Sequence, residues 1–217
     1  PDHWSYSQPD LWENAFGSCA GKMQSPIDID TSKFTPEEFQ TGTPLSQLAT
    51  YATVGPNAGL KTKNTGHSVQ LNGAFGSLSL PDGEYEAKQI HFHFPSEHTI
   101  DGVASAGEMH IIHQRRDATG TNGLAVVALL LRTALPNSEG FHAQMQKELG
   151  FFASLGFGTR LPSQSSEIQL SDDVVLDLQS TFGHQLNGTF FHYQGSLTAP
   201  PCSENVHWYI LQEPAYA

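Results

Sequence analysis

The segment Gln89-Ile90-His91-Phe92-His93-Phe94 alternates polar and apolar side chains without a break. On a strand, successive side chains point to opposite faces, so Gln89, His91 and His93 share one face while Ile90, Phe92 and Phe94 share the other. A chain built around this segment needs a sheet with an apolar layer on one side and a polar site on the other. Two imidazoles at i and i+2 on one face are spaced to grip a single metal ion. A second strand candidate reads Glu108-Met109-His110-Ile111-Ile112-His113. Glu108 and His110 share a face there, and His113 has the opposite parity. If the two strands pair, His110 completes a three-nitrogen set and leaves a fourth tetrahedral position open, the pattern of catalytic zinc; structural sites are closed, usually by thiolates. The chain has only two cysteines, both far from these histidines, which excludes a structural thiolate site. Gln89 is placed to accept a ring N–H from His91, and Glu108 one from His110, contacts that fix the tautomer and raise ligand basicity. Any one of these histidines alone reads as an ordinary hydrogen-bonded core residue; the set argues for metal. His98 and His113 read as core hydrogen-bonding residues, and His184, His192 and His207 as surface or strand histidines. Spacing reaches a metal site and stops short of a substrate.

The rest of the chain fits a mostly-β fold. Gly and Pro recur throughout, with short apolar runs between them. Strands are expected at Ser68–Leu71 and Ser77–Leu80, joined through the Asn72-Gly73 turn signal, and at Tyr85–Phe94, Gly107–His113, Leu124–Arg132, Phe190–Tyr193 and Val206–Gln212. Helices are expected at Ser138–Leu149, between Pro136 and Gly150, and at Asp172–Gln179. No stretch looks like a linker, so residues 1–217 are expected to form one domain. With 38% hydrophobic residues the chain can bury a sizeable core. Its formal net charge of −12 would repel a polyanion, so nucleic acid is excluded as a partner. The longest apolar run, Leu124 to Leu131, is far short of the roughly 20 residues of a membrane-spanning helix. The N-terminus, Pro1-Asp2-His3-Trp4, lacks a signal-peptide pattern and reads as a mature or excised end. Cys19 and Cys202 would close a very long loop if paired. Arithmetic leaves two separate buried thiols open, while the turn-rich Ala199–Ser203 setting of Cys202 favours a bridge and an oxidising compartment.

Several segments together resemble the α-class carbonic anhydrases. They are His3-Trp4-Ser5-Tyr6, Gln24-Ser25-Pro26-Ile27-Asp28-Ile29, Asn64-Thr65-Gly66-His67, and His91-Phe92-His93 followed by Ser96-Glu97-His98-Thr99-Ile100-Asp101-Gly102. Glu108-Met109-His110-Ile111-Ile112-His113 and Gly195-Ser196-Leu197-Thr198-Ala199-Pro200-Pro201-Cys202 complete the set. They occur in the family's order and span most of the chain, and the Pro-Ser-Glu-His form is similar to plant, algal and bacterial members.

The resemblance implies a large, twisted, mainly antiparallel central sheet with a few short peripheral helices, and zinc at the bottom of a conical cleft. It implies reversible hydration of CO2 to bicarbonate and a proton through a zinc-bound hydroxide. His91, His93 and His110 match the zinc ligands. Thr198 matches the threonine that orients the hydroxide, Glu97 the carboxylate that takes the threonine's proton, and His67 the proton shuttle. Val126, Leu197, Val206 and Trp208 match the apolar wall that holds CO2, and Tyr6 a cleft tyrosine that orders water. Cys19 and Cys202 match the disulfide of secreted members, which implies a secreted, periplasmic or otherwise extracytoplasmic location. Asn187-Gly188-Thr189 fits a glycosylation sequon.

Two departures accompany the resemblance. In the family, a further segment with another strand follows the stretch matching Val206–Pro214. Its absence is expected to leave the domain truncated or processed at its C-terminal end, and to invite a homodimer or a complementing C-terminal chain. Ala199 stands where many animal members carry a hydroxyl residue. Two other readings fit parts of the pattern. One is a catalytically silent storage or binding member, although such relatives typically lose a ligand histidine. The other is a cupin-like metalloprotein, in which Glu97 would itself bind iron or manganese, although no second cupin motif lies near His110.

Overall fold

A computed structural model describes residues 4–33, 43–133, 143–159, 161–171 and 173–217. Its strands are β1 (Asp28–Ile29), β2 (Ala49–Tyr51), β3 (Thr53–Val54), β4 (Lys61–Asn64), β5 (Val69–Asn72), β6 (Gly76–Leu80), β7 (Gly83–His93), β8 (Thr99–Ile100), β9 (Val103–Ala104), β10 (Gly107–Arg115), β11 (Leu124–Arg132), β12 (Glu167–Gln169), β13 (Leu176–Asp177), β14 (Phe190–Ser196) and β15 (Glu204–Tyr216). The main sheet runs β12-β4-β5-β7-β10-β11-β15-β14, with β6 also on β7 and β2 on β6. Its pairings are antiparallel except for β11 with β15, which is parallel. Strand β11 sits between β10 and β15 and is buried on both faces up to Leu131, which is why it reads as an unbroken apolar run rather than an alternating one.

The two faces of the sheet bury different things. Ile90, Phe92, Met109, Ile111, Val127, Leu129, Tyr209 and Leu211 point to the larger core, against the helix Ala143–Leu155 and the short helices Leu178–Thr181 and Gly183–Asn187. Val126, Ala128, Val206, Trp208 and Ile210 point the other way into a smaller cluster with Ile29 and Phe191. Gln89, His91, His93, Glu108 and His110 lie on this second face. A bulge keeps the alternation in phase: Ile112 faces Gln89 but His113 faces Ala87, so Lys88 is an extra residue in β7.

Sequence and structure differ at four places. Strands β5 and β6 do not form a hairpin through Asn72-Gly73. Both run antiparallel to β7, β5 along Gln89–His91 and β6 along Gly83–Glu86, so they lie end to end on one edge. The link between them buries Phe75 completely, and Gly76 adopts φ +106 against the backbone of Thr50. Strand β7 stops at His93, and Phe94 turns outward, 65% exposed, ahead of Pro95. The helix expected at Ser138–Leu149 is Ala143–Leu155, and residues 138–142 lie outside the described residues. It passes through Gly150 because Phe151 and Leu155 continue its buried stripe, and it stops before Gly156, which takes φ +64. Of Asp172–Gln179, Asp172 lies outside the described residues; Leu176–Asp177 pair with β3, and Asp177 caps a helix that begins at Leu178.

Candidate metal centre

Antiparallel pairing of β7 with β10 sets His110 directly opposite His91, and Glu108 opposite His93. The three imidazoles converge: each of His91, His93 and His110 offers a ligand atom, all within 4.8 Å of one another. His91 Nε2 and His110 Nδ1 are 3.2 Å apart, and His93 Nε2 is buried with no hydrogen-bond partner among the described residues. The opposite ring nitrogens of His91 and His110 are engaged. Gln89 Oε1 lies 2.9 Å from His91 Nδ1, and Glu108 Oε1 lies 2.8 Å from His110 Nε2. Three inward nitrogens with an orphan among them suit a borderline cation such as zinc.

Burial, then the neighbouring His110 and His93, holds His91 well below the ordinary histidine range. Burial, then His110, pushes His93 down to about 3. Both rings are therefore neutral at pH 7, the form that offers a lone pair to a metal. His110 differs: burial pulls it down, but the charge and hydrogen bond of Glu108 raise it above the ordinary value.

Glu108 is fully buried. Besides His110, its carboxylate accepts His98 Nδ1 at 2.6 Å and the backbone N–H groups of Glu97 and His98 at 2.9 Å. Burial pushes this carboxyl up, yet His110 and His98 together hold it well below its usual range. The far nitrogen of His98 meets Tyr193 Oη at 2.7 Å, and Tyr193 Oη meets Ser25 Oγ at 2.7 Å. Sequence reasoning left Tyr193 and Ser25 out, and spacing carried no signal for them, since these contacts join residues 95 and 168 apart.

The other candidate residues gather around the trio. A cavity of about 600 Å³ is lined by Tyr6, His67, Val69, Phe92, His93 and Glu97, among others. A second of about 320 Å³ is lined by Tyr6, Trp12, Ser25, Glu97, Thr198 and Cys202, among others. Burial raises Glu97 to about 7, with His110 and a hydrogen bond from Thr198 pulling the other way. His67 is exposed at the cavity wall, on the turn made by Gly66 at φ +87. Its ring stacks on Trp4, centroids 3.8 Å apart and planes 13° apart. Val126, Val206 and Trp208 are buried on the histidine face, with Leu197 packed against them and Trp208 edge-on to His110 at 5.0 Å.

Other placements are further from the chemistry. His113 lies on the larger core's face, 3.0 Å from Tyr51 Oη and 3.3 Å from the Ala125 carbonyl. His192 stacks with Tyr209 and His207, and His184 is exposed. Cys19 and Cys202 form a disulfide. Asn187 is exposed at the end of its helix and accepts a hydrogen bond from Ser46. His3, the first residue of the N-terminal motif, lies outside the described residues. Among the described residues, no helix is long and apolar enough to cross a membrane.

A model of the eukaryotic-type carbonic anhydrase family matches residues 7–217. Carbonic anhydrase 6 of Mus musculus is 31% identical over 97% of this chain and 68% of its own length. The α-carbonic anhydrase of Photobacterium profundum superposes with a TM-score of 0.74 at 29% identity, over 99% of this chain and 87% of that one. Dioscorin, solved in complex with ascorbate, superposes with a TM-score of 0.70 at 28% identity, over 100% of this chain and 84% of that one.

Proposed function

Because the chain belongs to the eukaryotic-type carbonic anhydrase family, we propose that it is a zinc enzyme that reversibly hydrates CO2 to bicarbonate and a proton, with residues 1–217 acting as one domain. The observation that carries this reading is the convergence of three imidazole edges, with the outer nitrogens of His91 and His110 already engaged by Gln89 and Glu108. His91, His93 and His110 hold the ion. Zinc bound there supplies a Lewis acid that makes water at its open position acidic near neutral pH.

The chain's own groups do the rest. Thr198 gives its hydroxyl proton to Glu97, so its oxygen lone pair is left to accept a hydrogen bond from the nucleophile and aim it. Val126, Leu197, Val206 and Trp208 offer CO2 an apolar surface that water does not compete for. Gln89 and Glu108 fix the tautomers of His91 and His110. His67, exposed at the cavity wall, takes the released proton to solvent. Tyr6 orders water in the cavity between His67 and the trio. The Cys19–Cys202 bridge supports an extracytoplasmic site of action.

The test is zinc stoichiometry together with stopped-flow CO2 hydration. One zinc per chain and hydration that disappears on chelation and returns with zinc are expected. Stoichiometric zinc without hydration would point instead to a binding or storage member of the family.

A further inference from the structure

Asn187-Gly188-Thr189 takes no part in the reaction proposed above, and it is the single Asn-X-Ser/Thr triplet in the chain. A triplet of this kind carries a glycan only where the folded protein leaves its asparagine at the surface with a free amide nitrogen, because the group attached there is bulky and needs solvent.

The fold supplies that setting. The short helix Gly183–Asn187 ends on the asparagine, and Gly188 leaves it in an extended conformation, φ −78 and ψ −175, so the chain turns off and Asn187 stands at the corner. Asn187 is exposed, whereas Gln185 and Leu186 just before it are buried. Its Oδ1 accepts a hydrogen bond from the Ser46 hydroxyl, while Nδ2, the atom that would carry the sugar, makes none among the described residues. Thr189 is held on the far side of the corner: its Oγ1 donates to Gln212 Oε1, and its carbonyl accepts from Gln212 N at 3.0 Å. The hydroxyl that a transferase has to recognise is thus taken up once β14 pairs with β15. Transfer therefore belongs to the chain before that pairing, which the order of synthesis allows, since Asn187 is made before Gln212. Leu186 of the same helix packs into the larger core, on the sheet face opposite His91, His93 and His110, so a group on Asn187 leaves the metal cleft open.

We infer that Asn187 is the acceptor of one N-linked glycan, carried on the helical side of the sheet away from the histidine trio. The donor is an oligosaccharide on a polyprenyl diphosphate. A C–N bond forms between the first sugar and Nδ2, the sugar's C–O bond to phosphate breaks, the amide gives up one proton, and the carrier leaves as the diphosphate. The inference rests on the extracytoplasmic route proposed above and is independent of the zinc site.

The test is to express the chain behind a secretion leader in a eukaryotic host and to measure its intact mass before and after peptide-N-glycosidase. A single glycan is expected, and enzymatic release in heavy-oxygen water should convert residue 187 to a labelled aspartate. Asn187→Gln and Thr189→Ala should each lose the glycan, and Thr189→Ser should keep it. A wild-type chain that enters the secretory route without gaining a glycan, or a glycan that persists in Asn187→Gln, would overturn the assignment. If the variants do not fold, the position of the labelled aspartate in the wild-type protein decides alone. Zinc content and CO2 hydration are expected to be the same with the glycan and after its removal; a difference would overturn its placement away from the cleft. Thiol titration reads the route separately: free Cys19 and Cys202 in the secreted protein would count against the oxidising compartment while leaving the glycan result to stand on its own mass.

Discussion

Glu108 shows how much of the site rests on a single buried carboxylate. It has no exposed surface, yet it takes two imidazole nitrogens and two backbone amides, so its charge is met from four directions. Such a group is tolerated only while every partner stays in place. Half of this arrangement was legible in the sequence, because strand parity alone puts Glu108 beside His110 and turns His113 away. The other half was not. The His98–Tyr193–Ser25 chain is assembled from a turn, an edge-side strand and a loop near the N-terminus, and no local pattern announces such a meeting. Tyr193→Phe keeps the ring and deletes only the hydroxyl, leaving His98 Nε2 and Ser25 Oγ short of a partner. The expected cost is about 1–3 kcal/mol of stability, read as a lower urea midpoint with an unchanged slope. A variant as stable as wild type would show that the hydroxyl merely accompanies His98.

At the scale of elements, the strands that carry the site follow from their own residues, and the errors occur where tertiary packing overrides a local signal. Strand β7 alternates because it has a core on one side and the histidines on the other, and β11 does not alternate because it is buried on both. Asn72-Gly73 looked like a hairpin turn, but burying Phe75 and laying β6 along the free edge of β7 uses the same residues without reversing the chain. Gly76 makes this possible. Its φ of +106 suits glycine, and an added Cβ would stand 2.1 Å from the Thr50 carbonyl oxygen, a backbone atom with little room to retreat. Gly76→Ala is therefore expected to cost about 2 kcal/mol or more, lowering the thermal midpoint. The metal site sits further along β7, so zinc stoichiometry in the folded variant should not change. A neutral substitution would mean that the β2–β6 edge shifts freely, contrary to its register in the sheet.

Across the whole molecule, the Cys19–Cys202 bridge joins an N-terminal segment to the loop that carries Thr198. That segment brings Trp4 and Tyr6 to His67, while Cys202 lies four positions beyond Thr198. The same loop is tied in by other contacts: Ser25 N donates to Ser196 Oγ at 2.8 Å, and Trp208 Nε1 donates to Ser196 O at 3.0 Å. The bridge therefore works with a hydrogen-bonded frame rather than alone. Its main thermodynamic effect is on the unfolded chain, where it closes a loop spanning 183 residues of sequence separation. In the chain-entropy account that is worth about 5 kcal/mol, a large share of the roughly 5–15 kcal/mol by which folded proteins are stable. Cys19→Ser/Cys202→Ser is expected to lower the thermal midpoint by on the order of 10 °C. Because the hydrogen-bonded frame survives, the folded fraction at low temperature should still bind zinc through β7 and β10. Scanning calorimetry with and without the bridge, alongside zinc content, checks both halves of this expectation. Loss of zinc in a variant that remains folded would mean that the bridge reaches the trio through the Thr198 loop, making it part of the site as well as a brace for the chain.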